Sequence, residues 1–143
     1  MVLDWDGLIA LPQADDVSDI HCVTAWSRYD NRWAGVRATD LVAHGHPRAK
    51  VRHVLFRFSD GCTTNIPFAG LDDEDVMLAH AWEDAALDRR HDGPLRGVGP
   101  KPYLWKSATR VRRTTFPAED RLGFWEARGN RNHGDAWMEE HYG

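Results

Sequence analysis

The segment from Lys50 to Phe68 constrains the fold most, because it has the pattern of two extended stretches joined by a tight turn. Along the first stretch two sets of residues alternate, one being Val51, His53 and Leu55 and the other Arg52, Val54 and Phe56. A period of two predicts a half-buried strand. The Asp60-Gly61 pair then predicts the turn, after which CTTNIPF restarts as a second extended segment.

A strand and a short helix are predicted on the N-terminal side of this segment. Residues 17–23, VSDIHCV, combine β-branched side chains with partial alternation, so we expect a strand that has Cys22 at its end. The stretch ATDLVAHG predicts a short helix that is capped by Thr39 or Asp40 and that ends at Gly45.

The segments after Phe68 have mixed patterns. LDDEDVMLAHAWEDAALD places acidic residues before an apolar run, which locally favours a helix. Three glycines and three prolines between His91 and Lys106 favour a loop with a short extended piece. SATRVRRTTFP predicts a strand, and the residues from Gly123 onward are expected to wrap over the surface. Many short strands with few helices indicate an α+β fold that is β-rich, with short helices and long loops.

The chain has the size and composition of one domain. It has 143 residues, of which 42% are hydrophobic and 28% charged, so we expect residues 1–143 to form a single domain. The formal net charge of −4 argues against general nucleic-acid binding. No apolar run approaches the roughly 20 residues that span a bilayer, and the N-terminus lacks a signal-peptide pattern. We therefore expect a cytoplasmic protein whose partners include neither nucleic acid nor membrane.

The two cysteines, Cys22 and Cys62, exclude several cofactors. The sequence has no CxxC pair and no CxxCH haem motif, and it has too few thiols for a four-cysteine iron–sulfur cluster. The two cysteines could form a disulfide, but in a reducing compartment a free thiol, a metal ligand or a small buried apolar residue is favoured for each. The histidines lack HExxH spacing, so a zinc hydrolase site is not expected.

Two short segments combine reactive or polar side chains with a predicted strand end. In the first, Thr24 follows the His21-Cys22 pair, where a thiolate would need a neighbouring charge or metal to lower its pKa. A buried structural cysteine is the alternative. In the second, Thr64 and Asn65 begin a strand after a turn, for which ordinary turn chemistry is the alternative.

A third segment, HDGPLRGVGPKPYLWKS, is a glycine- and proline-rich loop with anion-seeking side chains. These side chains are His91, Arg96, Lys101, Tyr103, Lys106 and Ser107. Arginine offers a planar fork to phosphate, lysine offers a point charge, and glycines let backbone amides approach an anion. A solvated basic loop is the alternative interpretation.

Taken in order, these segments resemble the molybdopterin-binding domain of the sulfite oxidase family, and are closest to its short bacterial oxidoreductases. The matching blocks are HCVTAWS with RWAGV, GCTTNIPF, HDGPLRGVGP, YLWKSATR and GFWEARGNRNHGDAW. The resemblance implies the β-rich sulfite-oxidase-type fold. It also implies a strand over Val76 to Glu83, after a one-turn helix, in place of the locally favoured helix. Because the chain begins about twenty residues before Cys22, the resemblance also leads us to expect that the family's N-terminal segment is missing.

The resemblance also implies a molybdenum–molybdopterin cofactor with one pterin dithiolene. Cys22 would be the protein thiolate ligand of molybdenum, which is chemically reasonable for a soft anionic sulfur and a redox metal. Arg96 would match the clamp on the terminal phosphate. The full set of implied cofactor-binding positions is His21, Cys22, Thr24, Thr64, Asn65, His91, Arg96, Tyr103, Lys106, Ser107 and Ala108.

The implied function is that of an enzyme that transfers an oxygen atom between water and a small oxo-accepting or oxo-donating substrate, of the sulfite or sulfoxide type. Arg28 and Arg32, which follow Cys22, would attract an anionic substrate and complete the catalytic set. Electrons would pass to or from a separate electron-transfer protein or carrier. One alternative is a non-catalytic molybdopterin-binding or interaction module, or an incomplete fragment of such an enzyme. Another is a non-redox domain that binds phosphate through Arg96 and Lys106.

Overall fold

Two antiparallel sheets make up most of the described structure. The computed structural model describes residues 3–22, 26–47, 51–71, 74–99, 110–117 and 127, with Cys22 described through its backbone. In chain order the elements within these ranges are α1 (Trp5–Ala10), β1 (Ala14–Cys22), β2 (Trp26–Arg37), α2 (Ala38–Gly45), β3 (His53–Phe58), β4 (Thr63–Pro67), a 3-10 turn (Phe68–Leu71), β5 (Met77–Trp82), β6 (Ala85–Ala86), a 3-10 turn (Arg89–His91), β7 (Arg96–Val98) and β8 (Val111–Thr115).

Strand β5 is central to the larger of the two sheets. This main sheet has the strand order β1-β2-β5-β6, and β7 also pairs with β5. The first half of β5 therefore lies between β2 and β7, and its second half lies between β2 and β6. The smaller sheet has the order β4-β3-β8. All of these strand pairs are antiparallel.

The first half of β5 is buried on both faces, and its residues, Met77, Leu78 and Ala79, are all apolar. Leu78 belongs to a core shared by the two sheets, together with Val36 of β2 and Phe56 of β3. The neighbours of Leu78 along β5 point to the opposite face, because side chains alternate along a strand. The cluster on that opposite face, which we call the outer face of the main sheet, consists of Trp33, Met77, Ala79, Leu87 and Val98.

The local helix prediction for the segment around β5 is wrong, and the strand implied by the family resemblance is confirmed. The resemblance placed a strand over Val76 to Glu83, and β5 runs over Met77–Trp82 after the 3-10 turn at Phe68–Leu71. A continuous apolar run suits a strand whose two faces are both covered. Pairing with strands on either side therefore outweighs the local helical pattern.

Helix α2 confirms the helix predicted from ATDLVAHG, which ends at Gly45 as expected, but the predicted cap is wrong. Arg37 takes the N-cap position and makes no capping hydrogen bond through its side chain, whereas the predicted caps, Thr39 and Asp40, lie inside the first turn. Strand β2 runs directly into α2, and the backbone N–H of Ala38 donates to the carbonyl of Val76 at 2.9 Å. A neighbouring carbonyl thus satisfies the first helical N–H in place of a capping side chain.

The remaining strand predictions are confirmed within the described residues. β1 ends at Cys22, and β7 and β8 match the short extended piece and the strand predicted after it. β3 and β4 flank the predicted turn, in which Asp60 Oδ1 accepts the N–H of Cys62 at 2.9 Å and Gly61 has a φ of 90°. Helix α1 had no counterpart in the sequence predictions, although Asp4 caps it by accepting the N–H of Gly7 at 2.9 Å.

The described structure does not test two of the sequence predictions. The single-domain organisation of residues 1–143 stays a prediction, and the segment from Gly123 to the C-terminus lies outside the described residues, apart from Ala127. In the described ranges neither helix has the length and apolar character needed to cross a membrane.

Gly35 provides the test of the central packing, because it is where β2 comes very close to β5. A Cβ atom at Gly35 would lie 2.1 Å from the carbonyl oxygen of Leu78 and 2.7 Å from the Cα of Ala79. Leu78 and Ala79 are paired with β2 on one side and with β7 on the other, so their backbone atoms cannot easily shift to make room. We expect Gly35→Ala to lower the free energy of unfolding by at least about 2 kcal/mol and the melting temperature by about 4 °C or more, measured by urea and thermal unfolding. Gly70→Ala is the control, since its Cβ would meet only the end of the Ile66 side chain at 3.3 Å. Equal stability of the two variants would contradict this packing.

Candidate functional site

Two tryptophans lie side by side on the outer face of the main sheet. Trp33 of β2 and Trp82 of β5 are directly paired in the strand register, and their ring centres are 6.2 Å apart. Side chains that face each other across an antiparallel pair share one face of the sheet. We call these two rings and the three basic side chains that contact them, Arg28, His91 and Arg96, the aromatic patch.

Trp82 contacts residues from two different parts of the chain. The guanidinium carbon of Arg28 lies 4.2 Å from the centre of the Trp82 ring, which is within the range of a cation–π interaction. The imidazole of His91 stacks against Trp82 with ring centres 4.6 Å apart and planes inclined by 38°. Trp82 thereby joins the hairpin of β1 and β2, where Cys22 pairs with Trp26, to the loop that precedes β7.

The side-chain amide of Asn31 holds Trp82 in this position. Asn31 is fully buried, and its Oδ1 accepts the indole N–H of Trp82 at 3.3 Å. Its Nδ2 donates to the carbonyl of Ser18 at 3.2 Å and to the carbonyl of Arg28 at 2.9 Å. A buried amide with all three of these bonds ties β1, β2 and β5 together, since leaving any of its groups unpaired would be costly.

Arg96 is a buried cation at the start of β7. It is 6% exposed, and its guanidinium carbon lies 5.2 Å from the centre of the Trp33 ring. Nη1 is 3.5 Å from Oδ2 of Asp92, whose other oxygen is 3.9 Å from Nε of Arg110. Burial lowers the pKa of Arg96, and the Asp92 carboxylate opposes this shift. Arginine nevertheless stays charged in proteins, so this position keeps a positive charge in a largely water-excluded place.

Two buried N–H groups in the aromatic patch have no acceptor among the described residues. They are Nε of Arg96 and Nε1 of Trp33, and both side chains are more than nine-tenths buried. An unsatisfied buried donor costs about 1–3 kcal/mol, and such groups are uncommon in native proteins. Both groups can only donate, so whatever satisfies them must present acceptor atoms.

The imidazole of His91 is held by a carboxylate as well as by Trp82. Oδ1 of Asp88 lies 2.8 Å from Nδ1 of His91 and also accepts the backbone N–H groups of Arg90 and His91, at 2.9 and 3.0 Å. Partial desolvation acts to raise the pKa of Asp88, but the hydrogen bonds from His91 and Arg90 outweigh it. The pKa of Asp88 therefore lies below its ordinary value of 3.8.

Arg32, predicted to attract an anionic substrate, already has two carboxylate partners. Its Nε is 3.3 Å from Oε2 of Glu83, and its Nη2 is 3.0 Å from Oδ2 of Asp84. The backbone N–H of Arg32 donates to Glu83 at 3.2 Å, and this bond is the largest influence that holds the pKa of Glu83 below its usual value. Exposed pairs of this kind add little stability. They do, however, offset the charge of Arg32 through direct contacts, whereas Arg28 contacts the Trp82 ring and acts on Glu83 only through its charge, which helps to lower the pKa of that carboxyl.

His21, predicted to bind the cofactor, has its described contacts away from the aromatic patch. Its Nδ1 is 2.8 Å from the hydroxyl of Ser27, and its ring meets Tyr29 edge-on at 6.5 Å. It lines a groove together with Asp16, Val17, Ser18, Asp19, Asp30 and Asp75. The four carboxylates make this groove unfavourable for an anion. Within the described ranges no group of three or more His, Cys, Asp or Glu side chains is arranged to hold a metal ion.

The other predicted cofactor residues are divided between the smaller sheet and the part of the chain outside the described ranges. Thr64 and Asn65 lie in β4 and are 0% and 1% exposed. The predicted residues that lie outside the described ranges are Thr24, Tyr103, Lys106, Ser107 and Ala108. Their assignment stays a prediction, as does that of the Cys22 side chain. Of the predicted site residues, the structure thus brings together Arg28, His91 and Arg96.

Several residues of this region were not predicted from the sequence. Trp82 stands in the run whose local pattern favours a helix, so only strand pairing brings it beside Trp33. Asn31 and Asp88 are short polar residues whose partners lie on other elements or in a turn. The one available signal was the concentration of Trp and Arg between residues 26 and 33.

A family model described as the oxidoreductase molybdopterin binding domain matches residues 1–125. The chain therefore belongs to this family of oxidoreductases. It is 39% identical over 142 residues to the uncharacterized oxidoreductase YuiH of Bacillus subtilis, which covers 99% of this chain and 72% of YuiH. It is also 26% identical over 124 residues to YedZ1 of Azospira oryzae, described as a putative protein-methionine-sulfoxide reductase subunit, covering 87% of this chain and 47% of that protein.

Among solved structures, the sulfane dehydrogenase SoxCD from Paracoccus pantotrophus matches with a TM-score of 0.73 and 19% sequence identity. The match covers 83% of this chain and 35% of the SoxCD chain. This similarity confirms the expected β-rich fold. The chain spans less than half the length of YedZ1 and about a third of the solved chain.

The contacts of Asp88 predict a pH dependence of stability. Because its pKa is lowered in the folded protein, the ionised form adds stability above the ordinary value of 3.8, and this stability is lost as pH falls through the lower native value. We expect Asp88→Asn to melt at a lower temperature than wild type at neutral pH, since charge-assisted hydrogen bonds are the stronger ones. The difference should shrink as pH falls below 3.8 and through the lower native pKa, where Asp88 becomes protonated and neutral like the asparagine, as measured by thermal unfolding at several pH values.

Asp15→Asn is the matched control for this experiment. Asp15 is an exposed residue of β1 whose side chain has no hydrogen bond to the described residues, so the variant should melt like wild type at neutral pH. A deficit of Asp88→Asn that is the same at neutral and acid pH would show that the charge of Asp88 is not responsible.

Proposed function

We propose that the chain binds a molybdenum–molybdopterin cofactor, with one pterin dithiolene, at the outer face of its main sheet and serves in oxygen-atom transfer. The substrate is a small oxo-accepting or oxo-donating molecule of the sulfite or sulfoxide type. Membership of the molybdopterin-binding family supports the cofactor. The observation that carries its placement is the buried guanidinium of Arg96, whose Nε has no acceptor among the described residues.

The chemistry of the aromatic patch fits an anionic cofactor. Arg96 and Trp33 offer only donors, and Arg28 adds a second positive charge nearby. The groove lined by Asp16 and Asp19 has the opposite charge, and it borders the patch, since Asp16 pairs with Trp33 in the strand register. An acceptor-rich group such as a pterin phosphate is therefore attracted to the patch and repelled from the groove.

Cys22 is the protein ligand of molybdenum in this proposal. Its backbone lies at the end of β1, in register with Trp26 and two positions beyond Ile20, which packs against the cluster of the outer face. A soft anionic sulfur suits a metal that cycles between oxidation states. When bound, the cofactor supplies the redox centre at which oxygen is gained or lost.

The chain's own residues position and attract the reactants. Asn31 fixes Trp82 through its hydrogen bond, and Trp82 in turn holds Arg28 by a cation–π contact. This arrangement keeps a positive charge on the hairpin whose first strand ends at Cys22, where it raises the local concentration of an anionic substrate. Nε2 of His91 has no hydrogen-bond partner among the described residues, so it is available to a ligand at the patch.

A separate electron carrier completes the proposed reaction. The sequence has too few cysteines for a four-cysteine iron–sulfur cluster and has no CxxCH haem motif. The description of YedZ1 as a reductase subunit supports both a protein partner and a sulfoxide-type substrate. A cytoplasmic location stays a prediction.

The ligand assignment is tested by metal analysis of the full chain produced in cells that make the molybdenum cofactor. We expect about one molybdenum per chain in wild type and a loss of most of it in Cys22→Ser, because the hydroxyl is a poorer ligand for a soft metal. Cys62→Ser is the control and should keep its metal. Folded wild-type protein without molybdenum would contradict the proposal. Turnover of sulfite or a sulfoxide with artificial electron carriers then separates an enzyme from a non-catalytic module.

The role of Arg28 is tested by comparing it with Arg32 in the metal-loaded protein. We expect Arg28→Gln to raise the KM for sulfite about three- to tenfold at low salt, with a smaller effect at high salt, because screening weakens exposed charges. Arg32→Gln should change the KM by less than about twofold, since Glu83 and Asp84 already offset its charge. Equal effects of the two substitutions on the KM would contradict the claim that Arg28, rather than Arg32, attracts the anionic substrate.

A further inference from the structure

We propose that the groove along β1 is a docking site for an extended, basic segment of a protein partner, and that it binds a lysine or arginine side chain of that segment. The groove is the one whose carboxylates are Asp16, Asp19, Asp30 and Asp75. No step of the proposed oxygen-atom transfer uses this groove. The inference therefore goes beyond the proposed function and does not depend on the metal.

The first observation is the charge of the groove. Asp16, Asp19 and Asp30 form no ion pair with any described residue, and no described lysine or arginine lines the groove. The backbone N–H of Asp30 donates to Oδ1 of Asp19 at 3.0 Å, so these two residues are fixed side by side. A groove lined by charges of one sign focuses their potential and attracts the opposite charge.

The second observation is that buried polar atoms of the groove have no partner among the described residues. Ser18 lines the groove and is 8% exposed, and its hydroxyl oxygen forms no hydrogen bond to them. Oδ2 of Asp16 is also buried without a partner, although Trp33 lies opposite Asp16 in the strand register. An ionised carboxylate can only accept, and a hydroxyl can accept as well as donate. A group that satisfies both atoms must therefore bring donors, and the neighbouring carboxylates favour one that is positively charged.

An organic cation fits this groove better than a metal ion. Among the described residues no group of three or more His, Cys, Asp or Glu side chains is arranged to hold a metal ion. The groove has a volume of about 360 Å³, whereas a single water needs only about 10–15 Å³. Val17, which lines the groove and is 60% exposed, offers apolar surface to the methylene stem of a lysine or arginine. The ammonium or guanidinium group at the end of that stem supplies several donors and one positive charge.

The position of the groove on β1 indicates that the cation belongs to a polypeptide. β1 is an outer strand of the main sheet, and among the described strands only β2 pairs with it. An extended segment can therefore pair with the other edge of β1 through backbone hydrogen bonds. Its residue opposite Ser18 would share a face of the sheet with Ser18 and Asp16. A lysine or arginine at that position directs its charge toward the unsatisfied atoms of the groove.

The test titrates the full chain, produced without the cofactor and labelled with nitrogen-15, with two short peptides whose ends are blocked. In one peptide two lysines alternate with threonines, and in the other glutamates replace the lysines. We expect the lysine peptide to cause saturable shifts of the backbone amide signals of Asp16 and Ser18, weaker at high salt, and the glutamate peptide to cause none. The proposal is overturned if the lysine peptide leaves both signals unmoved, which includes the case in which another part of this chain fills the groove.

Asp16→Asn and Asp15→Asn form the matched pair of variants. Each removes one carboxylate from β1, but Asp15 is exposed and is not among the residues that line the groove. We expect Asp16→Asn to weaken binding of the lysine peptide about tenfold or more, the usual effect of losing a hydrogen bond between charged groups, and Asp15→Asn to weaken it less than about threefold. Ser18→Ala replaces Asp16→Asn if that variant does not fold, and should weaken binding at least about threefold. A groove variant that binds no more weakly than Asp15→Asn would show general charge attraction only and would overturn the site.

The diamine cadaverine distinguishes a polypeptide from a small cation, since it carries the same two positive charges as the lysine peptide but has no peptide backbone. We expect it to bind at least about tenfold more weakly than the lysine peptide, because it cannot pair with β1. If it binds as tightly, the groove takes a free cation and the polypeptide assignment is wrong. If the wild type takes up no molybdenum but the lysine peptide still shifts the Ser18 signal, the proposed function fails while the docking site stands.

Discussion

The outer face of the main sheet depends on the buried amide of Asn31. It bonds to β1 through the carbonyl of Ser18, to its own strand through the carbonyl of Arg28, and to β5 through the indole of Trp82. The bond to Ser18 lies where the pairing of β1 and β2 is irregular, between Ser18 and Ile20. The amide therefore fixes the geometry of the β1–β2 hairpin, whose first strand ends at Cys22, at a point where regular pairing is interrupted.

The contacts of the site form a chain that starts at the hydrogen bond between Asn31 and Trp82. Trp82, held by Asn31, contacts Arg28 and His91, and lies beside Trp33, which contacts Arg96. Positive charge and donor groups thus collect on the outer face, while four carboxylates line a groove near His21. In the proposed function the basic side chains of the patch attract an anionic cofactor and an anionic substrate, and the carboxylates of the neighbouring groove, which begins at Asp16 opposite Trp33, repel them. Membership of the molybdopterin-binding oxidoreductases agrees with that distribution.

The sequence predicted most of the strands, because alternation, glycine turns and β-branched runs are local signals. It failed locally at β5, where both faces are buried and the pattern of apolar residues has no period that separates strand from helix. It also failed at the cap of α2, because the acceptor for Ala38 is the carbonyl of Val76 from a distant part of the chain. For the site, the resemblance to a family selected Arg96 and His91. Trp82 and Asn31 could not be predicted, since their roles arise only when β2 and β5 pair.

The central claim is that the outer face, with Cys22 and Arg96, holds the molybdenum cofactor. A crystal structure of the metal-loaded chain, with molybdenum located by its anomalous scattering, tests this claim most directly. The account predicts the molybdenum peak within bonding distance of the Cys22 sulfur and the pterin phosphate against Arg96. A molybdenum peak elsewhere, such as the groove lined by Asp16 and Asp19, or a phosphate away from Arg96, would contradict it.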